Sequence, residues 1–320
     1  MAQDLQHVPR LIATSVVRGS EQGESHGGVY LVDFARRKVT QAIDWNTTRI
    51  DFAGRGWDRG LRGIAFFDDL VCIAASDELY FYDSAFRLQR SFRNPFLKHC
   101  HEICRGDELL FLTSTGYDSV LVFDLARGRF IRGLHLSREA DAWRGQPFDP
   151  CSETGPPFVN ALHLNSVYAG NDGIYLSGLR THALLRIDGQ SRIHEICSLP
   201  AGAHNARPFR DGVLFNDTGA DCVRFAGRDG AERAFRIRVY DPDKLQNTEL
   251  DDSRVARQAF GRGLCIIDGG LIAAGSSPST ITLYDLDANR GIASVNLSMD
   301  IRNAIHGLEV WPFSGDRAGS

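Results

Sequence analysis

The sequence predicts an all-β chain that folds over residues 1–320 as a single six-bladed β-propeller, its ring closed by the C-terminal strand joining the N-terminal blade. Three observations lead there. A strand phrase recurs six times at blade-like spacing, helical periodicity is almost absent, and the last strand pattern has no blade behind it.

The phrase is a short alternating apolar run that ends in an aromatic or aliphatic residue and Asp: VYLVDF, LYFYDS, VLVFDL, LLRIDG, CVRFAG and ITLYDL. Its anchors, Asp33, Asp83, Asp124, Asp188, Gly227 and Asp285, lie 50, 41, 64, 39 and 58 residues apart, the period of a four-stranded blade with variable loops. In each blade this is the third strand. A Gly, Asp or Ser rich turn joins it to a preceding second strand (LVCIAA, LLFLTS, IYLSG, VLFND, LIAAG), as in a hairpin. Upstream again, a turn such as Asp172-Gly173 or Asp268-Gly269 follows a first strand: RGIAF, HEIC, HLNSV, HNAR or RGLCII. Downstream lie more charged runs such as FRLQRSF and GRFIRGL, as suits an outer edge.

The N-terminal blade has only three strands of its own, in LIATSVV, GVYLVDF and KVTQAID. NAIHGLEV, residues 303–310, has the first-strand pattern and no blade follows it, so a closing strand over 303–313 is expected to complete blade one. Closure removes the exposed edges of an open array. Residues 314–320 are expected to be a disordered tail.

Composition excludes several function classes. With 43% hydrophobic, 10% aromatic and 24% charged residues and a net charge of −4, the chain is globular and offers no basic run for nucleic acid or an anionic membrane. No stretch of about 18 apolar residues spans a bilayer, and the first residues lack the pattern of a secretory signal. Seven cysteines, an odd and scattered set, fit reduced thiols, so a cytoplasmic protein is expected. Cys100 and Cys104 read as buried thiols at a strand start, with ligation the competing account. The sequence does not speak to oligomeric state.

Aligning the first strands on their turns and anchors places His101, His163, His204 and His306 at one register, with Gly63 and Gly263 at that register in the two remaining blades. Only 10 residues in 320 are histidine, so four in six equivalent slots is more than composition explains. First strands line the central channel, and neutral imidazoles around a narrow axis suit Zn²⁺ or Fe²⁺, with Mn²⁺ a further option, better than Ca²⁺. The competing account is a channel whose histidines bond water and carbonyls with no ion. His7, His26, His99, His135, His182 and His194 fall at other registers and read as structural or surface residues.

Arg62 and Arg262 precede the two glycines and flank the blade of His306, where they would hold a substrate carboxylate or phosphate. Strand alternation argues against this, because neighbours of a channel-facing residue should face away. Glu102 is an acid or base candidate, and with Asn165 and Asn205 it could orient imidazole N–H groups. Two long connections, 136–160 and 238–261, are expected to cover the histidine face, with Trp143, Phe148 and Tyr240 as apolar walls.

HLNSVYA (163–169), GAHNARPFRDGVLF (202–215) and FGRGLCI (260–266) resemble the HLNGLA, MPHSPRWHDGRLW and FARGLAF phrases of a family of uncharacterised bacterial propeller proteins. That resemblance implies the fold and supplies no reaction; MPHSPRW has become GAHNARPF, which keeps the histidine and changes its neighbours. Two similarities of architecture bear on chemistry. The zinc-dependent peptide-amidating lyases are six-bladed propellers with three histidine ligands on alternate blades plus arginines; His101, His204 and His306 are similarly spaced, 103 and 102 residues apart. Carotenoid-cleaving oxygenases bind Fe²⁺ through four histidines on seven blades.

Together these readings predict a metal-dependent enzyme of lyase or hydrolase type acting on a small polar substrate. The alternatives are a four-histidine Fe²⁺ oxygenase and a non-catalytic propeller that binds a small ligand or a protein. A calcium-dependent lactonase-like propeller would draw on Glu102, Asn165 and Asn205.

Overall fold

The repeated Asp anchors act as turn-formers. In the computed structural model, which describes residues 5–313 except 22, 47–59, 141 and 250–256, Asp83 Oδ1 accepts from the amides of Ala85 and Arg87, both at 2.9 Å. Asp188 does the same with Gln190 (2.9 Å) and Arg192 (3.0 Å), and Asp285 with Asp287 (3.0 Å) and Ala288 (2.8 Å). Such Asx turns fold the third strand back into the fourth. Where Gly227 replaces the anchor, Asp229 takes the role through the Ala231 amide.

Among the described residues, twenty-five strands form six antiparallel sheets. Five are consecutive along the chain, with inner strands Ile64–Phe67, Ile103–Gly106, Leu164–Gly170, Ala203–Phe209 and Arg262–Ile266. The remaining sheet joins Asn303–Val310 to Leu11–Val17, Ser25–Asp33 and Lys38–Asn46. The chain is a six-bladed β-propeller. Its C-terminal strand pairs antiparallel with Leu11–Val17, Leu11 facing Val310 and Val17 facing Asn303. The tail expected at 314–320 lies outside the described residues.

The apolar alternation of the second and third strands is buried between neighbouring blades. Phe81 and Leu79 of blade two, for example, pack on Leu112, Leu121 and Phe123 of blade three. Five further clusters occupy the other blade interfaces. At about 1.5–3 kcal/mol per fully buried Leu, Ile, Val or Phe, these interfaces carry the fold. No helix among the described residues is long and apolar enough to cross a membrane.

The connection 136–160 departs from expectation. Arg129–Glu139 runs on, and Ala142–Phe148 returns beside it as a fifth, outermost strand of blade three. Alternating residues here pair in a hairpin whose far edge leans on blade four, where Trp143 Nε1 donates to Glu195 at 3.2 Å.

Candidate active site at the channel mouth

Strand pairing decides which residues share a level. Ile64 faces Ile73, Ile103 faces Leu112, Val167 faces Leu176, Leu264 faces Ala274 and Leu308 faces Ala13, all equivalent second-strand positions. In blade five, Arg207 facing Leu214 sets the same count. Two residues upstream of this level lie Arg62, His101, Asn165, His204, Arg262 and His306. The arginines, not the glycines that follow them, occupy the histidine register, and Asn165 takes the slot expected for His163. Going round the ring, imidazoles on blades one, three and five alternate with Arg62, Asn165 and Arg262 on blades two, four and six.

The expected alternation of side chains fails here for a physical reason. Four of the six inner strands shift register at this level, between Leu164 and Ser166, His204 and Arg207, Arg262 and Leu264, and Ala13 and Ser15. A bulge places two residues opposite one and re-aims their side chains. The next position is glycine in three adjacent blades because the strands crowd there. A Cβ on Gly307 would lie 2.2 Å from Arg62 O, and one on Gly63 would lie 2.5 Å from the Ile103 nitrogen.

Two histidines are anchored alike: Nδ1 of His101 lies 2.7 Å from His99 O, and Nδ1 of His204 lies 2.9 Å from Gly202 O. Each Nδ1–H donates to a carbonyl two residues back, which leaves the lone pair on Nε2. Nε2 of His306 accepts from Arg262 Nη1 at 2.6 Å. Nε2 of His204 is buried with no hydrogen-bond partner among the described residues. Ring centres of His101 and His306 are 5.6 Å apart.

His163 comes to the same place by another route. It lies one residue before its strand, in the left-handed region at φ 54°, yet its ring centre is 5.2 Å from that of His101. Its loop is held by Asp118, a residue the sequence did not single out. The buried carboxylate accepts from the amides of Leu162 at 2.9 Å and His163 at 2.8 Å, as well as from Ala161. Asn160 Oδ1 meets His163 Nδ1 at 3.0 Å. His99, Asp118, Asn160, His163, Asn205 and Ala259 all have positive φ around this mouth. Strained backbone of this kind gathers at functional sites.

All four imidazoles are held neutral. Burial is the main cause; the next is Arg62 for His101 and Arg262 for His204 and His306, each pushed well below its ordinary value. Burial and then Arg262 push His163 down to about 3.

Glu102 sits one level below the imidazoles. Its Oε1 accepts from Asn205 Nδ2 at 3.1 Å and lies 3.6 Å from Arg207 Nη2, and Oε2 accepts from the Val167 amide at 3.3 Å. Glu309 lies further along the channel, three residues past His306, pushed up to about 7 by burial, which outweighs the opposing Arg207. With Glu102, Asn205, His306 and the glycines at 63, 263 and 307 it lines an axial cavity of about 10 Å³, room for one water at most. Neither Glu102 nor the asparagines 165 and 205 anchor an imidazole; Asn165 donates to Ala203 O at 3.0 Å, and backbone carbonyls orient His101 and His204.

Among the described residues no three His, Cys, Asp or Glu side chains are placed so as to hold a metal ion. The Arg262 guanidinium occupies the Nε2 lone pair of His306. Cys100 and Cys104 are thiols pushed up by burial, to about 12 and about 11.

The expected walls lie elsewhere. Trp143 is at the outer edge, Phe148 packs on Phe96 with ring centres 5.3 Å apart, and Tyr240 bonds Thr280 at 3.0 Å. The aromatic at the site is Phe260, 5.6 Å from His204 and 4.7 Å from the Arg262 guanidinium. Exposed Phe158 stands by the mouth, 6.1 Å from His99. Phe260 was legible in the FGRG phrase that sets Arg262.

A scan of protein-family models gives no match to this chain, and neither does a search of curated proteins. Solved structures do resemble it. A chain of a nidogen/laminin complex aligns with a TM-score of 0.59 at 8% identity, covering 94% of this chain and 97% of that one. The virginiamycin B lyase of Staphylococcus aureus aligns at 0.46 and 12% identity over 77% of this chain and 69% of its own. A streptogramin B lyase aligns at 0.43 and 14%, over 72% and 70%. At such identities the likeness is one of fold alone.

Proposed function

We propose that the ring of imidazoles and guanidiniums is the active site of an enzyme of lyase or hydrolase type acting on a small polar substrate. The observation that carries this is Nε2 of His204: a buried lone pair, its tautomer set by the Gly202 carbonyl, with no hydrogen-bond partner among the described residues. Leaving a buried acceptor unmade costs about 1–3 kcal/mol, which a substrate proton would recover. A neutral imidazole so placed is a general base. Arg62 and Arg262, at the same level, supply charge for the substrate, and Glu102 orders the floor through Asn205 and Arg207.

The test is turnover of a panel of hydrolysable and eliminable small substrates by the wild type and by His204→Asn. A loss of at least about 100-fold with an unchanged thermal midpoint is expected. Equal turnover by the variant overturns the reading, and binding without turnover by either protein favours a non-catalytic propeller.

A second reading keeps a divalent transition metal, Zn²⁺ or Fe²⁺, on His101, His204 and His306, with His163 as a fourth member. Its support is the carbonyl anchoring of Nδ1, the arrangement that orients metal-ligating histidines. It needs the contact between Arg262 and His306 to open. Metal analysis of protein purified without a histidine tag decides: near one ion per chain, lost when His101 and His204 are both replaced, supports it.

A further inference from the structure

Blade three shows how an outer strand edge of this propeller can be covered. Its fifth strand, Ala142–Phe148, pairs along Arg129–Glu139 and leans on blade four through Trp143 and Glu195. The outer edge of blade five has no such cover among the described residues, because Glu232–Arg236 is the last strand of its sheet. Beside that edge, between blades five and six, runs a groove of about 460 Å³. Phe235 and Tyr284 meet at its floor with ring centres 5.0 Å apart. Residues 234–236 line one side and Gly291 and Ser294 the other, and the missing side chain at Gly291, which faces Tyr284, leaves width for an extended chain.

Charge sets this groove apart. The groove between blades four and five is lined by Glu232 with Arg224 and Arg228, and the one between blades six and one by Asp33 with Arg37 and Lys38. Here Arg236, Arg238 and Arg290 line the walls and no carboxylate does. On other blades the anchor aspartate takes up an arginine of its own turn: Asp83 with Arg87 at 2.8 Å, Asp124 with Arg127 at 3.0 Å and Asp188 with Arg192 at 2.8 Å. In blade six Asp285 turns to the amides of Asp287 and Ala288, and Asp287 is held by Arg210 at 2.8 and 3.1 Å. Blade five has Gly227 in place of the anchor. Arg236 and Arg290, both exposed, therefore make no ion pair among the described residues, and Arg238 has only the Ser294 hydroxyl, at 3.0 Å across the groove.

We propose that this groove takes an acidic peptide segment of a partner protein, extended along Glu232–Arg236 as a fifth strand of blade five. An added strand gains affinity from main-chain hydrogen bonds to an unpaired edge and specificity from its alternate side chains. The edge of Glu232–Arg236 supplies the first, and the guanidiniums supply the second through charge-assisted bonds to carboxylates. A strand edge also favours a peptide over a nucleic acid, which has no backbone amides to pair with it. The groove lies on the outer wall of the ring, so the proposal stands independently of the channel site.

The probe is a fluorescein-labelled peptide of about eight residues that alternates Glu with Val, titrated with the full chain and read by anisotropy. Saturable binding that weakens as salt is added is expected. Peptides with Lys in place of Glu, or with Pro at alternate positions to remove backbone donors, should bind at least about tenfold more weakly. Arg236→Glu and Arg290→Glu should each weaken binding about tenfold or more, while Arg87→Glu, the same change of charge on blade two, leaves it within about twofold. Thermal midpoints establish that the variants fold, and Arg238→Gln replaces either one that does not. No binding by the wild type, wild-type affinity in both groove variants, an equal loss in Arg87→Glu, or undiminished binding of the Pro peptide overturns the proposal. So does tighter binding of an oligothymidylate of equal charge. A wild-type dimer that Arg290→Glu dissociates overturns it in favour of a second copy of this chain.

Discussion

Lowering the pH from 7.5 to 5 asks four buried imidazoles to accept protons among arginines. In the unfolded chain each titrates near 6.5, whereas in the fold burial and then Arg262 hold His163 down to about 3, and the other three are also depressed. A depressed histidine binds fewer protons folded than unfolded. Stability is therefore full above about pH 6.5 and falls as the pH drops below it. At pH 5 the unfolded chain gains about 2 kcal/mol per such histidine, so the ring loses several kcal/mol of a stability that for domains in general is about 5–15 kcal/mol. His163→Asn removes one share and keeps a residue that tolerates positive φ. Thermal unfolding at pH 7.5 and pH 5.0 reads the result: the variant's midpoint should fall by about 3 °C less than the wild type's over that interval. Comparing the two proteins cancels every other titrating group. Equal falls, or an NMR titration of His163 near 6.5, would refute the reasoning.

Glu309 works in the opposite direction. Raised to about 7, it binds a proton longer folded than unfolded, so stability is lost as pH climbs from about 4.5 through 7; Glu309→Gln should remove up to about 3 kcal/mol of that decline, seen in denaturant midpoints at pH 5 and 7.5. Gly307→Ala should cost about 1–3 kcal/mol, measured by denaturant unfolding, because the new methyl would meet Arg62 O at 2.2 Å. Asp118→Asn should cost about 1.5–3 kcal/mol and speed hydrogen exchange at the amides of Ala161, Leu162 and His163, with exchange at Leu112 in blade three changing less. Deleting residues 303–320 should abolish cooperative unfolding, since Leu11–Val17 then faces water along the edge it now pairs.

Spacing and alternation alone determined the propeller, the blade count and the closing strand, because a blade is a local object. Its hairpins, Asx turns and two-residue apolar period all lie within about fifty residues of chain. The same locality located His101, His204 and His306. The sequence could not show that four inner strands bulge where they approach the axis, since a bulge answers to crowding from neighbouring blades, seen at Gly63 and Gly307. In blade six that shift accompanies Arg262 in the ring, and in blade four it accompanies the move of His163 onto a loop held by Asp118. Phe260, flanked in space by Arg18 from blade one and Arg257 from its own connection, became a wall for the same reason. Which charges meet at the axis depends on six strands converging from distant parts of the chain, and only tertiary structure brings them together.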